Sequence, residues 1–373
     1  MKVNLITPID IRYSYRGTEY WVYEAAGYLM RRGIDAEVLI TETGSRKALN
    51  SKAASEFAEV PARMIKSSRL SLPMNFKITT YKDLPKDSIL YFPYSIYDYA
   101  INIARKPGSQ KWIIGSHSMH LKHGHIIKGH RWLELALNAV MKNVIRKNNL
   151  FYHVVNIDQE RYLVDLGIEK DRIFRIPPFI DVKDFRAKPS TGKKLKVMHL
   201  GGVEKNAEAV SRIIGRLVEL GQIGSFEFYL IGKQPESIIQ YGKRLKHGSI
   251  SIFPSISEVE KRKVMGNMDV MLLPAVENFS KSMLEGLASG LYIIAGEMNP
   301  AFSEVLKRGA FGAASKNDSE YVSALRAALE MKLDGKLDKY KKSNLSAAGF
   351  YDRKVIMPLI EKMFMEVDKF SEK

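Results

Sequence analysis

The chain alternates, twice over, between short apolar runs of strand type and longer stretches with helical periodicity. In its first half, a helix predicted over Glu19–Arg32 is closed by Gly33. The apolar runs on either side of such helices predict strands at Lys2–Pro8, Ala36–Ile40, Ser88–Pro93, Lys111–His117 and Phe151–Ile157. A repeat of strand, helix and strand predicts a parallel sheet with helices on both faces.

The alternation stops and then restarts after a stretch rich in proline and charge, IPPFIDVKDFRAKPSTGKK at residues 176–194. Beyond it the same reasoning predicts strands at Leu195–Leu200, Phe226–Ile231, Ser249–Phe253, Asp269–Pro274 and Leu291–Ala295. Helices are predicted at Asn206–Leu220, Glu236–Lys246, Ser257–Asn267, Ser280–Ala288, Asp318–Met331 and Arg353–Phe370. The region 43–86 is less regular, with a helix near 53–67 and a weak strand near 76–80.

These patterns predict two α/β domains of Rossmann-like type, because 373 residues exceed one typical core. The predicted bounds are 1–180 for the first domain, 181–194 for a linker, 195–350 for the second domain and 351–373 for a final helix. In parallel sheets, ligands bind outside the carboxyl ends of the strands. We therefore expect a ligand site at those ends, in a cleft between the domains.

The net charge of +17 favours anionic partners such as nucleotides, phosphorylated substrates, nucleic acid or an acidic membrane surface. Residues 101–150 contain nine Lys or Arg and one acid, so the positive charge is locally concentrated. Within this segment, the apolar spacing of the predicted helix 131–147 favours packing on its own sheet, and its basic flanks leave contact with an acidic membrane as the alternative.

The absence of cysteine excludes disulfides and thiolate chemistry and fits a reducing compartment. We see no signal peptide and no apolar run long enough to span a membrane. The expected location is therefore cytoplasmic, with a peripheral position on the inner face of the membrane as a further option.

The most informative stretch is MLLPAVENFSKSMLEGLASG, residues 271–290. A buried strand ends at a proline, a short loop carries Glu277, and Ser280 is placed to cap a helix that contains Glu285. By themselves, two glutamates eight residues apart would be ordinary surface charges. At a strand tip and in the following helix, they lie where backbone N–H groups bind anions and where carboxylates accept hydrogen bonds from vicinal hydroxyls. The segment therefore predicts a site for phosphate, sugar and ribose oxygens.

This stretch resembles the E-x7-E segment of retaining GT-B glycosyltransferases of family 4, the group 1 transferases. Further likenesses follow in the family's order: RGTEYWVYEAAGYLMRRGIDAEVL, residues 16–39, the stretch ending in IPPFIDVKDF at 185, LGGVEKN at 200–206, and YLIGKQPE at 229–236. The resemblance covers nearly the whole chain and implies a GT-B fold, with the last helix packing back on the N-terminal domain.

Residue by residue, the resemblance implies that Glu285 binds the donor ribose and Glu277 the transferred sugar. Lys205 would neutralise the diphosphate, and His117 would line the sugar pocket. The residues implied in catalysis are His117, Glu277 and Lys205. Those implied in donor binding are Gly17, Thr18, Gly202, Lys205, Asn278, Phe279, Ser280, Lys281 and Glu285.

The sequence departs from the family at the phosphate loop. Members usually have an arginine upstream of the lysine, and the loop Gly201–Lys205 has none. Lys281, Arg12 or Arg16 could replace its charge. Family members usually need no metal, and we expect neither a metal nor another cofactor. The histidine-rich stretch 117–130 does not fit a known metal motif, and we expect it to handle an acceptor.

The resemblance implies a retaining transferase that moves a hexose-type sugar from a nucleoside-diphosphate sugar to a glycan, lipid-linked or phosphorylated acceptor. Alternatives are a GT-B sugar-nucleotide epimerase, a phosphorylase-like enzyme, an inactive scaffold, or a basic nucleic-acid-binding protein. The epimerase would turn over the donor without an acceptor. The nucleic-acid binder would show steep salt dependence, yet no RRM, KH, zinc-finger or OB signature is present.

Overall fold

The computed structural model describes residues 1–8, 10–11, 17–41, 55–71, 77–81, 83–93, 110–115, 150–201, 205–245, 249–275, 277 and 279–370. The chain forms two compact units. The first contains Met1–Pro178 and Ile356–Lys373, and the second contains Phe179–Val355. The segment predicted as a linker, 181–194, falls within the second unit.

The first unit is built on a seven-stranded parallel sheet in the order β3-β2-β1-β6-β7-β8-β9. Its strands are β1 Lys2–Thr7, β2 Asp35–Thr41, β3 Ala62–Ile65, β6 Ile89–Phe92, β7 Trp112–Gly115, β8 Leu150–Val154 and β9 Ile173–Arg175. The short strands β4 (Ser67–Ser71) and β5 (Lys77–Tyr81) pair separately as an antiparallel hairpin. Described helices of this unit are α1 (Gly17–Arg31) and α2 (Ile157–Asp165).

The helix predicted near 53–67 is confirmed only at Ser55 and Glu56, because residues 62–65 form β3 and Ser67 begins β4 instead. A proline disfavours helical backbone at the residue before it, so Pro61 prevents a helix from continuing through Val60. Pro61 then accepts a hydrogen bond from Val38 N at 2.8 Å, and β3 continues that pairing along β2. The weak strand near 76–80 is confirmed as β5.

The second unit is built on a six-stranded parallel sheet in the order β12-β11-β10-β13-β14-β15. Its strands are β10 Leu195–Leu200, β11 Phe226–Ile231, β12 Ile250–Phe253, β13 Val270–Leu273, β14 Tyr292–Gly296 and β15 Gly312–Ser315. Its helices are α3 Ala207–Glu219, α4 Glu236–Arg244, α5 Glu258–Met265, α6 Lys281–Ala288, α7 Pro300–Lys307, α8 Asp318–Leu333 and α9 Leu337–Gly349. The sequence reasoning missed α7, β15 and α9.

Both faces of this second sheet are buried, as expected for a parallel sheet. Alternate residues of β13 belong to different apolar clusters: Met271 and Leu273 pack in one, and Val270 and Leu272 in the other. The first cluster includes residues of α6, and the second includes residues of α3 and α8. The predicted α/β class is therefore confirmed for both units.

The last helix, α10 (Arg353–Lys369), returns to the first unit as predicted. Tyr28 Oη of α1 donates a hydrogen bond to Glu361 Oε2 at 3.2 Å, and the rings of Tyr91 and Phe364 meet edge to face at 6.0 Å. The buried residues of α10 are Ile356, Met357, Ile360, Met363, Phe364 and Val367. Their spacing of three and four is that of an amphipathic helix.

A buried histidine lies in the core of the first unit. His153 Nδ1 accepts from Tyr91 Oη at 2.7 Å, and Nε2 donates to the carbonyl of Ile176 at 2.8 Å. The carbonyl can only accept, which places the proton on Nε2. Burial lowers the pKa of His153 from 6.5 to about 4, against the smaller opposing effect of the Ile176 hydrogen bond. The imidazole is therefore neutral when folded.

His153 is expected to make folding sensitive to acid. Between pH 4 and 6.5 the unfolded chain binds a proton at His153 that the folded chain does not bind. The contribution of His153 to the free energy of unfolding is therefore complete above pH 6.5 and is lost as the pH falls towards 4. Going from pH 7 to pH 5 should cost about 2 kcal/mol through this residue. Urea unfolding of wild type and His153→Gln at both pH values measures it. Equal losses in the two proteins would contradict the assignment.

Candidate functional site

The predicted site residues of the second unit lie where its parallel strands end. Lys205 follows β10, and Glu277 follows β13, which is the neighbour of β10 in the sheet. The two side chains form an ion pair. The structure therefore brings together two of the three residues predicted for catalysis, at the carboxyl edge of the sheet.

The loop that carries Lys205 has an unusual backbone. Gly201 has a φ of 125°, and a Cβ at this position would lie 2.1 Å from Lys205 Cγ. The stem of Lys205 therefore occupies space that only glycine leaves open. At the other end of the loop, Asn206 adopts the left-handed conformation with a φ of 60°.

Neighbouring strand ends support this loop. Asn206 Nδ2 donates to the carbonyl of Pro274, at the end of β13, at 3.2 Å. Gln234 Nε2 donates to the carbonyls of Gly201 at 3.2 Å and Gly232 at 3.0 Å. Three strand ends are thereby joined through side-chain amides, which fixes where Lys205 leaves the backbone.

Helix α6 begins at the same edge, directly after Glu277 in the chain. Ser280 is its N-cap residue, as predicted, but its side chain makes no capping hydrogen bond. Its hydroxyl oxygen is buried and has no hydrogen-bond partner among the residues that the structure describes. The first N–H groups of a helix also have no partner within the helix, and they favour anions. This helix start therefore offers unused donors and a hydroxyl group to a ligand.

Helix α6 packs tightly against the sheet. A Cβ on Gly286 would come within 3.0 Å of Ile293 and 3.3 Å of Met271, so glycine permits this close approach. One turn into α6, the Glu285 side chain is only 4% exposed. Its Oε1 accepts a hydrogen bond at 3.0 Å from Lys261 of α5.

Two other predicted donor residues flank the start of α6. The ring of Phe279 packs on Tyr351 at 5.4 Å between centroids and is partly buried against the apolar core. Its ring is therefore used in packing, and its predicted contact with a donor stays a prediction for its backbone. Lys281 is half-buried and acts on Glu258 of α5. Burial raises the pKa of Glu258, but Lys261, Lys281 and Arg262 outweigh burial and lower it.

Other predicted residues lie elsewhere. Gly17 and Thr18 form the start of α1 in the first unit, with Gly17 exposed and no atom within 4 Å of where its Cβ would be. His117, Gly202 and Asn278 lie outside the described residues, as do Arg12, Arg16 and most of the basic segment 101–150. Their roles stay predictions.

Sequence reasoning missed Lys261, Gln234 and Asn206. For Lys261 a signal existed: it lies four residues before the buried Met265, on the inward face of an otherwise polar helix. Within the described ranges, no cluster of three or more His, Asp or Glu could hold a metal ion. No helix of that same part of the chain is long and apolar enough to cross a membrane.

Comparison with known proteins finds a family match within the second unit. Residues 194–331 match the family "Glycosyl transferases group 1". No curated protein matches the chain by sequence.

Solved structures share the fold over nearly the whole length. Sucrose-phosphate synthase from Thermosynechococcus elongatus is 12% identical, with a TM-score of 0.72 over 99% of this chain and 100% of that one. Anabaena HepE in complex with UDP-glucose is 12% identical, with a TM-score of 0.67 over 99% and 100%. The lipopolysaccharide outer core galactosyltransferase WaaB is 11% identical, with a TM-score of 0.67 over 98% and 99%. Residues 194–331 are thus similar to the group 1 glycosyltransferases, and the chain has the GT-B fold.

Proposed function

We propose that this glycosyltransferase takes a hexose-type sugar from a nucleoside-diphosphate sugar and transfers it with retention of anomeric configuration. The observation that carries the proposal is the Lys205–Glu277 ion pair at the carboxyl edge of the second sheet, followed directly by the start of α6. A cation, a carboxylate and a helix N-terminus are the groups that a diphosphate linked to a sugar would need.

Each group takes one part of the donor in this proposal. Lys205 and the first N–H groups of α6 bind the diphosphate, and Glu277 accepts hydrogen bonds from hydroxyls of the sugar. Glu285, buried one turn further on, accepts from the ribose hydroxyls. HepE, which shares the fold, has been solved in complex with UDP and with UDP-glucose, which supports a nucleotide-sugar donor.

In the reaction, the bond between the anomeric carbon and the diphosphate oxygen breaks, and a bond from an acceptor hydroxyl to the same face of that carbon forms. The diphosphate leaves with the bonding electrons and takes up the acceptor proton. Charge develops on the leaving oxygen, where Lys205 and the start of α6 would stabilise it. We propose that this arrangement makes a metal unnecessary, so that EDTA leaves activity unchanged.

The acceptor is proposed to be a glycan, a lipid-linked glycan or a phosphorylated molecule. The support is the net charge of +8 over residues 101–150, which favours a negatively charged or membrane-bound acceptor. A position on an anionic membrane surface stays a prediction with the same basis.

Removing Glu285 should weaken the response to donor nucleotides. Wild type is expected to gain thermal stability from UDP-, GDP- or ADP-hexose, and Glu285→Ala to bind that nucleotide about tenfold to a hundredfold more weakly, since hydrogen bonds to a charged group are lost. Thermal shift titrations measure both. Glu330→Ala, on the exposed surface of α8, is the matched control and should behave as wild type. The proposed donor site is wrong if no nucleotide-sugar stabilises wild type, or if Glu285→Ala responds equally.

A further inference from the structure

Glu285 requires a positive charge beside it. A carboxylate that is 4% exposed loses most of its hydration, and an unpaired buried charge costs several kcal/mol. On α6 itself, Lys281 precedes Glu285 by four residues, the spacing that places two side chains on the same face of a helix. The ion pair that the structure records for Glu285, however, is with a cation of another element.

That charge is Lys261 on α5, which lies between two carboxylates. Its Nζ is 3.0 Å from Glu285 Oε1 and 2.9 Å from Glu258 Oε2, and its side chain is 13% exposed. Glu258 is three residues before Lys261 on the same helix, so α5 supplies both the lysine and the carboxylate that orients it.

The α5 helix is itself fixed at its start. Ser257 and Glu260 form a capping box, in which Ser257 Oγ accepts from Glu260 N at 3.2 Å and Glu260 accepts from Ser257 N at 2.9 Å. At the other side of the helix, Arg262 pairs with Asp184 at 2.9 Å. Lys261 therefore approaches Glu285 from a helix held at two further points.

Lys261 stays charged in this setting. Burial lowers the pKa of Lys261, but the negative charges of Glu285 and Glu258 outweigh burial and raise it above the ordinary lysine value. Its single hydrogen bond to Glu285 goes to Oε1. Within the described residues, Oε2 accepts no hydrogen bond, which leaves that oxygen for a ligand.

We propose that Lys261 is a positioning residue for donor binding: it fixes Glu285 through Oε1 and leaves Oε2 to the vicinal hydroxyls of the donor ribose. This inference rests on the proposed function, since it assumes that Glu285 meets the ribose. Lys261 contacts no part of the donor in this scheme. It acts by balancing the charge of the buried carboxylate and by holding that carboxylate in one orientation.

The test compares a nucleotide that has the ribose diol with one that lacks it. The probes are UDP, GDP and ADP, each with its 2′,3′-dideoxy form, measured by calorimetry on wild type, Lys261→Met, Lys261→Arg and Glu285→Gln. Wild type should prefer the diol form of its nucleotide by about tenfold or more. Lys261→Met should lose most of that preference, while its affinity for the dideoxy form stays within about twofold.

The controls separate positioning from loss of fold. Lys263→Met removes the same charge from the exposed face of α5 and should keep the preference. Lys261→Arg restores the charge and should regain part of it. A structural defect would weaken both forms of the nucleotide alike, which overturns the inference.

The remaining outcomes distinguish this inference from the proposed function. If Glu285→Gln abolishes the preference for the diol and Lys261→Met keeps it, the inference fails and the ribose contact of Glu285 stands. If wild type shows no preference for the diol, or binds no nucleotide, the proposed function itself fails at this site.

Discussion

Replacing Lys205 with Met should lower the release of nucleoside diphosphate from the donor by about 10²- to 10³-fold, as does removal of one charge-stabilising group in other enzymes. Lys205 supplies the positive charge beside Glu277, in a loop whose sequence lacks the arginine usual for such transferases. The charge that develops on the leaving diphosphate would then have no cation at the end of β10.

Two measurements make this prediction specific. The first is the rate of nucleoside diphosphate release, measured as slow hydrolysis of the nucleotide-sugar without acceptor. The second compares the affinity for the free nucleoside with the affinity for its diphosphate, which shows which part of the ligand Lys205 contacts. The nucleoside should bind Lys205→Met as it binds wild type, since it has no phosphate, and the diphosphate should bind more weakly.

The same variant leaves Glu277 without its partner, so a second variant is needed. Lys205→Met/Glu277→Gln removes the carboxylate as well and should remain as weak towards the diphosphate as Lys205→Met. Lys307→Met, on exposed surface at the end of α7, changes the net charge equally and should keep wild-type rates. A rate for Lys205→Met within about twofold of wild type would remove Lys205 from the proposed mechanism.

The second sheet could be predicted closely because its strands are buried on both faces. Mostly apolar runs predicted the bounds of β10 (LKVMHL) and β11 (FEFYLI), Leu195–Leu200 and Phe226–Ile231, as the structure has them. Region 53–67 failed because pairing with β2, and not local preference, decides its backbone. Helix α9 was missed because its sequence is mostly polar, and its contacts with α6 are tertiary.

At the site, sequence reasoning placed Lys205, Glu277 and Glu285 on the right elements because each follows a strand end or lies in the helix after it. It did not find the pair Lys261–Glu285, which joins two helices through side chains 24 residues apart in the chain. Ser280 shows the same limit in another form. Its position as N-cap was predictable, but the burial of its hydroxyl, which has no hydrogen-bond partner among the described residues, is seen only in the structure.

A different set of charges is expected to decide the stability of the second unit. The Lys332 ammonium group near the end of α8 and the Asp269 carboxylate just before β13 are 2.6 Å apart, with 3% and 1% of their side chains exposed. Lys332 Nζ also donates to the carbonyls of Lys194 at 2.6 Å and Thr191 at 3.1 Å. The pair thus attaches the segment before β10 to the sheet and to α8.

Asp269 is equally well bonded. Its carboxylate accepts from Ser190 Oγ at 2.5 Å and from Lys196 N at 2.9 Å. Taking away the lysine alone would leave this buried carboxylate, together with the two carbonyl groups, without their cation. Breaking a buried pair from one side usually costs about 3–5 kcal/mol, whereas replacing both partners costs far less.

Lys332→Met is therefore expected to lower the free energy of unfolding of the second unit by about 3–5 kcal/mol, measured by urea unfolding. Lys339→Met, an exposed lysine of α9, should change it by less than about 0.5 kcal/mol. The double variant Lys332→Met/Asp269→Asn should recover part of the loss, because the unpaired carboxylate is gone. The opposite result is a double variant that is less stable than Lys332→Met. It would show that the hydrogen bonds of Asp269 to Ser190 and Lys196, and not its ion pair with Lys332, hold this segment in place.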